Sequence, residues 1–203
     1  MHIIDEKIDT LKETSYDKEN NTYMVESNLL VCSFDKVKEW YIENKIPYTN
    51  PNPKSNDALF FGEDTCFFIE FKNGKIDNRV NFELNKKIYD SLFILFDLHY
   101  KDKNGELVNS ISYTRNHMNY ILVYNEEKYA EAGPTAQTKE GLKRQEESRV
   151  TTSKHRDKLF STMRKLAKEE LIKFGLDQFE NYLFKEVHTY TVKDFEENFI
   201  HGR

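Results

Sequence analysis

Residues 57–74 read DALFFGEDTCFFIEFKNG, and the fold that we predict for the chain is built around this segment. Two aromatic, strand-like runs flank a Gly-Glu-Asp-Thr reversal, and an Asn-Gly pair ends the second run. Two such runs separated by a short polar reversal are typical of an antiparallel β-hairpin. If residues 62–65 form the reversal, Phe61 lies opposite Cys66, and every pair further from the turn follows from that one.

The register predicted for this hairpin brings charged side chains together at its open end. Counting back from the turn places Asp57 opposite Glu70, on one face, with Cβ atoms about 4.5–5.5 Å apart. Lys72, two residues beyond Glu70, projects from the same face because strand side chains alternate. Opposed carboxylates destabilise a sheet unless a cation compensates them. Lys72 supplies one compensation, and a bridging Mg²⁺ or Mn²⁺ ion would supply a larger one.

Local patterns predict elements on both sides of the hairpin, and together they indicate an α/β (α+β) fold with helices around a sheet. Leu84, Ile88, Leu92 and Leu95 recur at helical spacing and predict a buried helix. The predicted elements are a short helix over 34–45, a proline-rich loop over 46–57, a long helix over 78–98, strands over 106–114, 119–125 and 181–191, a basic helix over about 154–174, and a last helix from Thr191. Residues 1–30 are assigned loosely to helix or coil.

Composition excludes several classes of protein. The chain has 203 residues and 14% aromatic residues, which indicates one folded domain rather than a disordered chain. Two cysteines are too few for a disulfide framework or a four-cysteine zinc site. The N-terminus carries charges where a signal peptide is apolar, and Asp90 and Asp97 interrupt the longest apolar stretch. We therefore expect a cytoplasmic protein without a membrane partner.

Asp57 followed by Glu70-Phe71-Lys72 resembles the Asp…(Asp/Glu)-x-Lys signature of the PD-(D/E)xK nuclease-like superfamily, which includes restriction endonucleases and Holliday-junction resolvases. The resemblance covers about residues 35–125. It implies a restriction-endonuclease-like core, namely a mixed central sheet flanked by helices. It also implies hydrolysis of phosphodiesters in DNA, with RNA second, in a defence or repair setting. Asp57, Glu70 and the Phe71 carbonyl would hold the metal, and Lys72 would orient water or offset developing charge.

This sequence departs from the signature in two places. Asn56 stands where the signature has proline, and the glutamate that the first core helix often supplies has no unique match. The candidates for that glutamate are Glu39, which we favour, then Glu43 and Glu26. The strand that should precede the hairpin is also hard to locate, and residues 46–49 are a candidate for it.

The predicted lysine roles have alternatives. Lys72 could form a structural ion pair with Glu70 or Asp57, worth about 0–1 kcal/mol at a surface. Lys87 could reach a scissile phosphate, as helix residues do in some members of the superfamily. Its alternative, an ordinary solvated stripe with Glu83 and Asp90, is favoured by their helical spacing.

Charge is unevenly distributed along the chain. The net charge is −5, while residues 139–168 alone carry ten basic and four acidic side chains. This segment is either a phosphate-contacting arm or a solvated helix with a charged loop. We predict one nuclease-like domain over 1–203, with its core at about 35–125, a polar loop at 126–153 and a helix-strand-helix at 154–200.

The expected partner is nucleic acid, DNA before RNA, and a homodimer is one option for assembly. The first alternative function is a non-catalytic protein of the same fold, with a binding or immunity-type role through its acidic surface. The second is an unrelated α+β interaction protein.

Overall fold

A six-stranded mixed sheet organises residues 2–130 and 172–202, the part of the chain that the computed structural model describes. Its strands are β1 (Ile8–Thr10), β4 (Leu30–Ser33), β5 (Ala58–Phe61), β6 (Cys66–Lys72), β7 (Met118–Tyr124) and β8 (Glu186–Thr191). The strands lie in that order. The pairs β1–β4, β4–β5 and β5–β6 are antiparallel, whereas the pairs β6–β7 and β7–β8 are parallel. β2 (Tyr16–Asp17) and β3 (Thr22–Tyr23) form a separate small hairpin.

Helices flank the sheet, so the predicted mixed α/β architecture is confirmed at that level. The helices are α1 (Ile3–Glu6), α2 (Leu11–Thr14), α3 (Phe34–Lys45), α4 (Asn78–Asp97), α5 (Ile111–His117), α6 (Glu126–Ala130) and α7 (Val192–Phe195), with a 3₁₀ turn (Leu176–Phe179) and a π turn (Glu196–Ile200). No helix in the described ranges is long and apolar enough to cross a bilayer.

The hairpin register predicted from the sequence is confirmed. Phe61 pairs with Cys66, and Ala58 pairs with Ile69 at the other end of β5. The Gly62 amide donates to the Thr65 carbonyl at 3.0 Å and closes the turn. The open end of the hairpin therefore begins at residue 57, as the pattern indicated.

The long helix after the hairpin is also confirmed, and it covers one face of the sheet. The Asp77 carboxylate caps α4 by accepting from the Val80 amide at 2.9 Å. Leu84 and Ile88 are buried in the same hydrophobic cluster as Phe68 of β6. The opposite face of β6 packs in a second cluster, which includes Ile69, Phe71 and Phe195 of α7. Side chains of even number in β6 therefore face α4.

Two strand predictions were wrong. Residues 106–114 contain the start of α5 rather than a strand, because the Ser110 hydroxyl caps this helix by accepting from the Tyr113 amide at 3.2 Å. Residues 46–49 lie in a turn, and the strand that precedes the hairpin is β4. The loose assignment of residues 1–30 to helix or coil missed β1, β2 and β3.

The C-terminal part of the prediction is confirmed where it is described. β8 occupies the second half of the predicted strand, and the Thr191 hydroxyl caps α7 by accepting from the Asp194 amide at 3.1 Å.

The polar loop predicted over 126–153 was wrong at its start, where α6 forms and the Asn125 side chain accepts from the Glu127 amide at 3.0 Å. The remainder of that loop and the basic segment 139–168 lie outside the described residues. Most of the basic helix predicted over 154–174 lies outside them as well.

Candidate functional site

Asp57 and Glu70 meet at the open end of the hairpin, on the face that α4 covers. Ala58 pairs with Ile69, so Asp57 and Glu70 form the next pair outward. Asp57 Oδ2 accepts a hydrogen bond from the Phe71 amide at 2.7 Å, which fixes the Asp57 side chain against β6. The Glu70 side chain is 1% exposed and that of Asp57 is 14% exposed. The fold thus holds two carboxylates together with little access to water.

The cation between these carboxylates is Lys87 of α4. Its Nζ lies 2.6 Å from Glu70 Oε1 and 3.2 Å from Asp57 Oδ1. The neighbouring residues Leu84 and Ile88 are buried against the sheet, so the backbone of α4 at this point is held in place. The helix packing therefore brings Lys87 over the open end of the hairpin.

The prediction of a solvated stripe around Lys87 was wrong. Glu83 pairs with Lys54 at 3.5 Å, and Asp90 pairs with Lys86. Helical spacing places Glu83 near Lys87 but cannot show what packs against the helix. The other interpretation, contact with a scissile phosphate, stays a prediction, although the ammonium is here engaged by carboxylates.

Lys72 differs from Lys87 in its surroundings. Within the described ranges, no hydrogen bond or ion pair involves the Lys72 ammonium, so the predicted structural pair with Glu70 or Asp57 is not formed there. Lys72 instead lines a cleft together with Asp57. Of the two lysines, Lys72 is the one that lines the cleft.

The cleft has a volume of about 580 Å³ and lies between the start of α3, the end of β6 and the β2–β3 hairpin. That volume is within the range of small-ligand sites, about 300–1,000 Å³. Asp17 of β2 accepts from the Asn73 side-chain amide at 2.7 Å and ties the small hairpin to the end of β6. The charged residues of the lining are Asp9, Glu13, Asp17, Lys18, Glu19, Asp35, Lys36, Glu39, Asp57 and Lys72. Seven carboxylates against three lysines make this cleft acidic.

Asp35 is a carboxylate near the site that the sequence prediction missed. It lies in the first turn of α3, where its Oδ1 accepts from Lys38 Nζ at 2.8 Å and from the Ser55 hydroxyl. The Phe34 amide donates to the Asp57 carbonyl at 3.0 Å and joins the start of α3 to the hairpin. The missing signal was β4, because only the pairing of β4 with β5 places residue 35 beside residue 57.

The three glutamates considered for the helix position lie in different places. Glu39 lines the cleft that also contains Asp57 and Lys72. Glu43 is exposed on the same helix and is not part of the lining. Glu26 forms a surface ion pair with Lys12 at 2.7 Å. Of the three, only Glu39 therefore shares the cleft with Asp57, whereas Glu70 is not part of the lining.

Burial and mutual repulsion dominate the electrostatics of the site. Burial, with the charge of Asp57 second, raises the pKa of Glu70 to about 8. Burial likewise raises the pKa of Asp57, although Lys87 opposes the shift. Burial alone would lower the pKa of Lys87, but the charges of Asp57 and Glu70 outweigh it and raise that pKa. Each charge at the site therefore depends on the other two.

The donor set is chemically suited to a hard divalent cation. Asp57 and Glu70 offer carboxylate oxygens, the ligands that Mg²⁺ and Mn²⁺ prefer. Glu70 Oε2 is buried and has no hydrogen-bond partner in the described residues, so it is available as a ligand. In those same residues, no group of three or more His, Cys, Asp or Glu side chains has an arrangement that could hold a metal. Asp57 and Glu70 therefore contribute two carboxylates to a candidate cation site.

In comparisons with protein-family models, with curated proteins and with solved structures, the chain matched none of them.

Proposed function

We propose that the protein is a metal-dependent phosphodiesterase, a nuclease of the PD-(D/E)xK type that acts on DNA and secondarily on RNA. The observation that carries this proposal is the pair Asp57 and Glu70, held on one face at the open end of a hairpin and largely shielded from water. Opposed buried carboxylates are costly unless a cation neutralises them. A divalent cation bound between the two carboxylates would compensate their charge, and this accounts for their burial as a pair.

The order of the elements supports a restriction-endonuclease-like core. β4, β5 and β6 form an antiparallel run, α4 follows, and β7 returns parallel to β6. Asp57 directly precedes one hairpin strand, and Glu70 and Lys72 lie in the other. This is the placement that the superfamily signature implies, with a helix after the hairpin.

The chemistry follows from the donor set. Asp57, Glu70 and the Phe71 carbonyl would hold Mg²⁺ or Mn²⁺, which supplies an activated water and polarises phosphoryl oxygens when bound. Lys72, which lines the cleft, would offset the negative charge that develops on the phosphate. Glu39 would act from the wall of the same cleft rather than as a third ligand, because it does not group with the two hairpin carboxylates.

The test is cleavage of labelled single- and double-stranded DNA and RNA by the full chain with Mg²⁺ or Mn²⁺. We expect metal-dependent cleavage that falls by about 10²–10³-fold in Glu70→Gln and in Lys72→Met, the size typical of losing one charge-stabilising group. Glu43→Gln, on α3 but outside the cleft, is the matched control and should retain activity. Absence of cleavage with both metals, or cleavage that survives Glu70→Gln, would contradict the proposal.

The second candidate function is a non-catalytic binding protein of the same fold. The excess of carboxylates in the cleft favours it, because an acidic wall repels a phosphate backbone and attracts a basic partner. Metal-independent binding of a basic partner that weakens steeply with salt, together with no cleavage of nucleic acid, would support this function over the nuclease.

A further inference from the structure

The inference concerns Lys87 and rests on the metal-binding part of the proposed function. The Lys87 ammonium contacts one oxygen of each carboxylate, Glu70 Oε1 at 2.6 Å and Asp57 Oδ1 at 3.2 Å. Among the described residues, no other lysine or arginine forms an ion pair with either carboxylate. Lys87 is therefore the internal counter-ion of the pair.

An ammonium and a divalent ion cannot both use these two oxygens. Mg²⁺ requires oxygen ligands at about 2.0–2.1 Å, and Ca²⁺ at about 2.3–2.6 Å. An ion at such distances from Glu70 Oε1 and Asp57 Oδ1 would lie against a Lys87 Nζ that contacts the same atoms. Like charges repel strongly at contact in a site with little water.

The Lys87 side chain can move away from the carboxylates, although the helix backbone is held in place. The buried neighbours Leu84 and Ile88 hold the helix against the sheet, whereas the Lys87 side chain is 26% exposed. The lysine stem is a flexible four-carbon chain, so rotation about its bonds can move the ammonium toward solvent without moving α4. Asp35 is a third carboxylate whose charge acts on Lys87.

We propose that Lys87 is a positioning residue that occupies the metal site in the absence of metal and is displaced when a divalent cation binds. The ammonium offsets part of the charge of Asp57 and Glu70 and holds the two carboxylates close together. The cation then exchanges with the ammonium instead of entering an open site. The intrinsic affinity of the two carboxylates for the ion is consequently masked in the wild type.

The test is Mn²⁺ binding to the full chain. Binding is measured by electron paramagnetic resonance of the free Mn²⁺ and by thermal melting with and without the ion. We expect Lys87→Met to lower the Mn²⁺ Kd at least tenfold and to show a larger Mn²⁺-induced rise in melting temperature than the wild type. Lys86→Met, which removes the adjacent lysine paired with Asp90, is the matched control and should bind Mn²⁺ like the wild type. Lys87→Gln should bind Mn²⁺ as Lys87→Met does.

The remaining outcomes distinguish failure of the displacement proposal from failure of the proposed function. If the wild type binds Mn²⁺ and Lys87→Met binds it equally or more weakly, the displacement proposal is overturned while the proposed function stands. If the wild type and all the variants fail to bind Mn²⁺, both proposals are overturned. If Lys87→Met folds only when Mn²⁺ is present, displacement is supported, because the ion then replaces the ammonium. If it stays unfolded in saturating Mn²⁺, displacement is overturned.

Discussion

The two ends of the β5–β6 hairpin both carry acidic side chains, but they place them in different surroundings. At the turn, Glu63 and Asp64 are exposed to water. At the open end, Asp57 and Glu70 lie under α4, and the Glu70 side chain is 1% exposed. Exposed carboxylates cost little, whereas buried ones require a counter-ion.

The buried polar groups beside the turn have hydrogen-bond partners. The Tyr113 hydroxyl donates to Asp102 Oδ2 at 2.7 Å and lies 3.6 Å from the Cys66 sulfur. Burial raises the pKa of the Cys66 thiol to about 11, so this thiol stays protonated and unreactive at neutral pH.

The open end is less completely satisfied. Glu70 Oε2 has no hydrogen-bond partner in the described ranges, and Lys87 is shared between two acids. Conflicts of this kind between burial and charge are expected at functional sites rather than in structural cores. The difference between the two ends therefore points to the open end as the place of function.

The largest expected effect comes from removing the counter-ion. Lys87→Met should lower the free energy of unfolding by about 3–5 kcal/mol, because it leaves buried carboxylates without a cation. Urea denaturation at pH 9 in EDTA measures this loss. The loss should shrink toward pH 5, where Glu70 takes up a proton instead.

A double variant tests whether the charges of Glu70 and Lys87 are coupled. Glu70→Leu with Lys87→Met removes both members of the closer ion pair and should be more stable than Lys87→Met alone. Lys86→Met should cost only about 0–1 kcal/mol, because its pair is partly exposed on one helix. A Lys87→Met protein as stable as Lys86→Met would show that the charges are not coupled.

The stability of the folded chain should depend on pH through Glu70. The pKa of Glu70 is about 8 in the folded chain and 4.5 as its ordinary value, so between these pH values the folded state keeps a proton that the unfolded state has lost. Stability in EDTA should therefore fall as pH rises from about 4.5 to about 8, by up to about 1.4 kcal/mol per pH unit. Urea melts at closely spaced pH values would measure the slope.

Glu70→Gln should remove most of this slope, because the amide does not titrate. Glu43→Gln, exposed on α3, should leave the slope as it is in the wild type. A slope that persists in Glu70→Gln would assign the titration to another group.

The smallest effect is expected beside the turn. Tyr113→Phe removes the hydroxyl that donates to Asp102 and contacts Cys66, so it should cost about 1.5–3 kcal/mol, as for one hydrogen bond to a charged group. Denaturation at pH 7 measures the cost, and Mn²⁺ binding should be unchanged. Loss of Mn²⁺ binding in this variant would show that the two ends are not independent.

The hairpin and its carboxylate pair were predictable because they depend on short-range patterns. Phe61 and Cys66 are separated by four residues, so the turn alone sets the register out to residues 57 and 70. The long helix was predictable for a similar reason, since its apolar repeat and its Asp77 cap are local. Local patterns failed for residues 106–114, where Ser110 caps a helix inside a run that alternates like a strand.

The partners of the site depend on contacts between segments far apart in the chain. Lys87 reaches Glu70 only because α4 folds back over the sheet, and Asp35 approaches Asp57 only because β4 pairs with β5. Local sequence was enough to place two carboxylates opposite each other across one hairpin, since four residues in the turn leave few alternative registers. That Lys87 rather than Lys72 is their counter-ion depends on the packing of distant segments, because burial and packing select the partner of a charge.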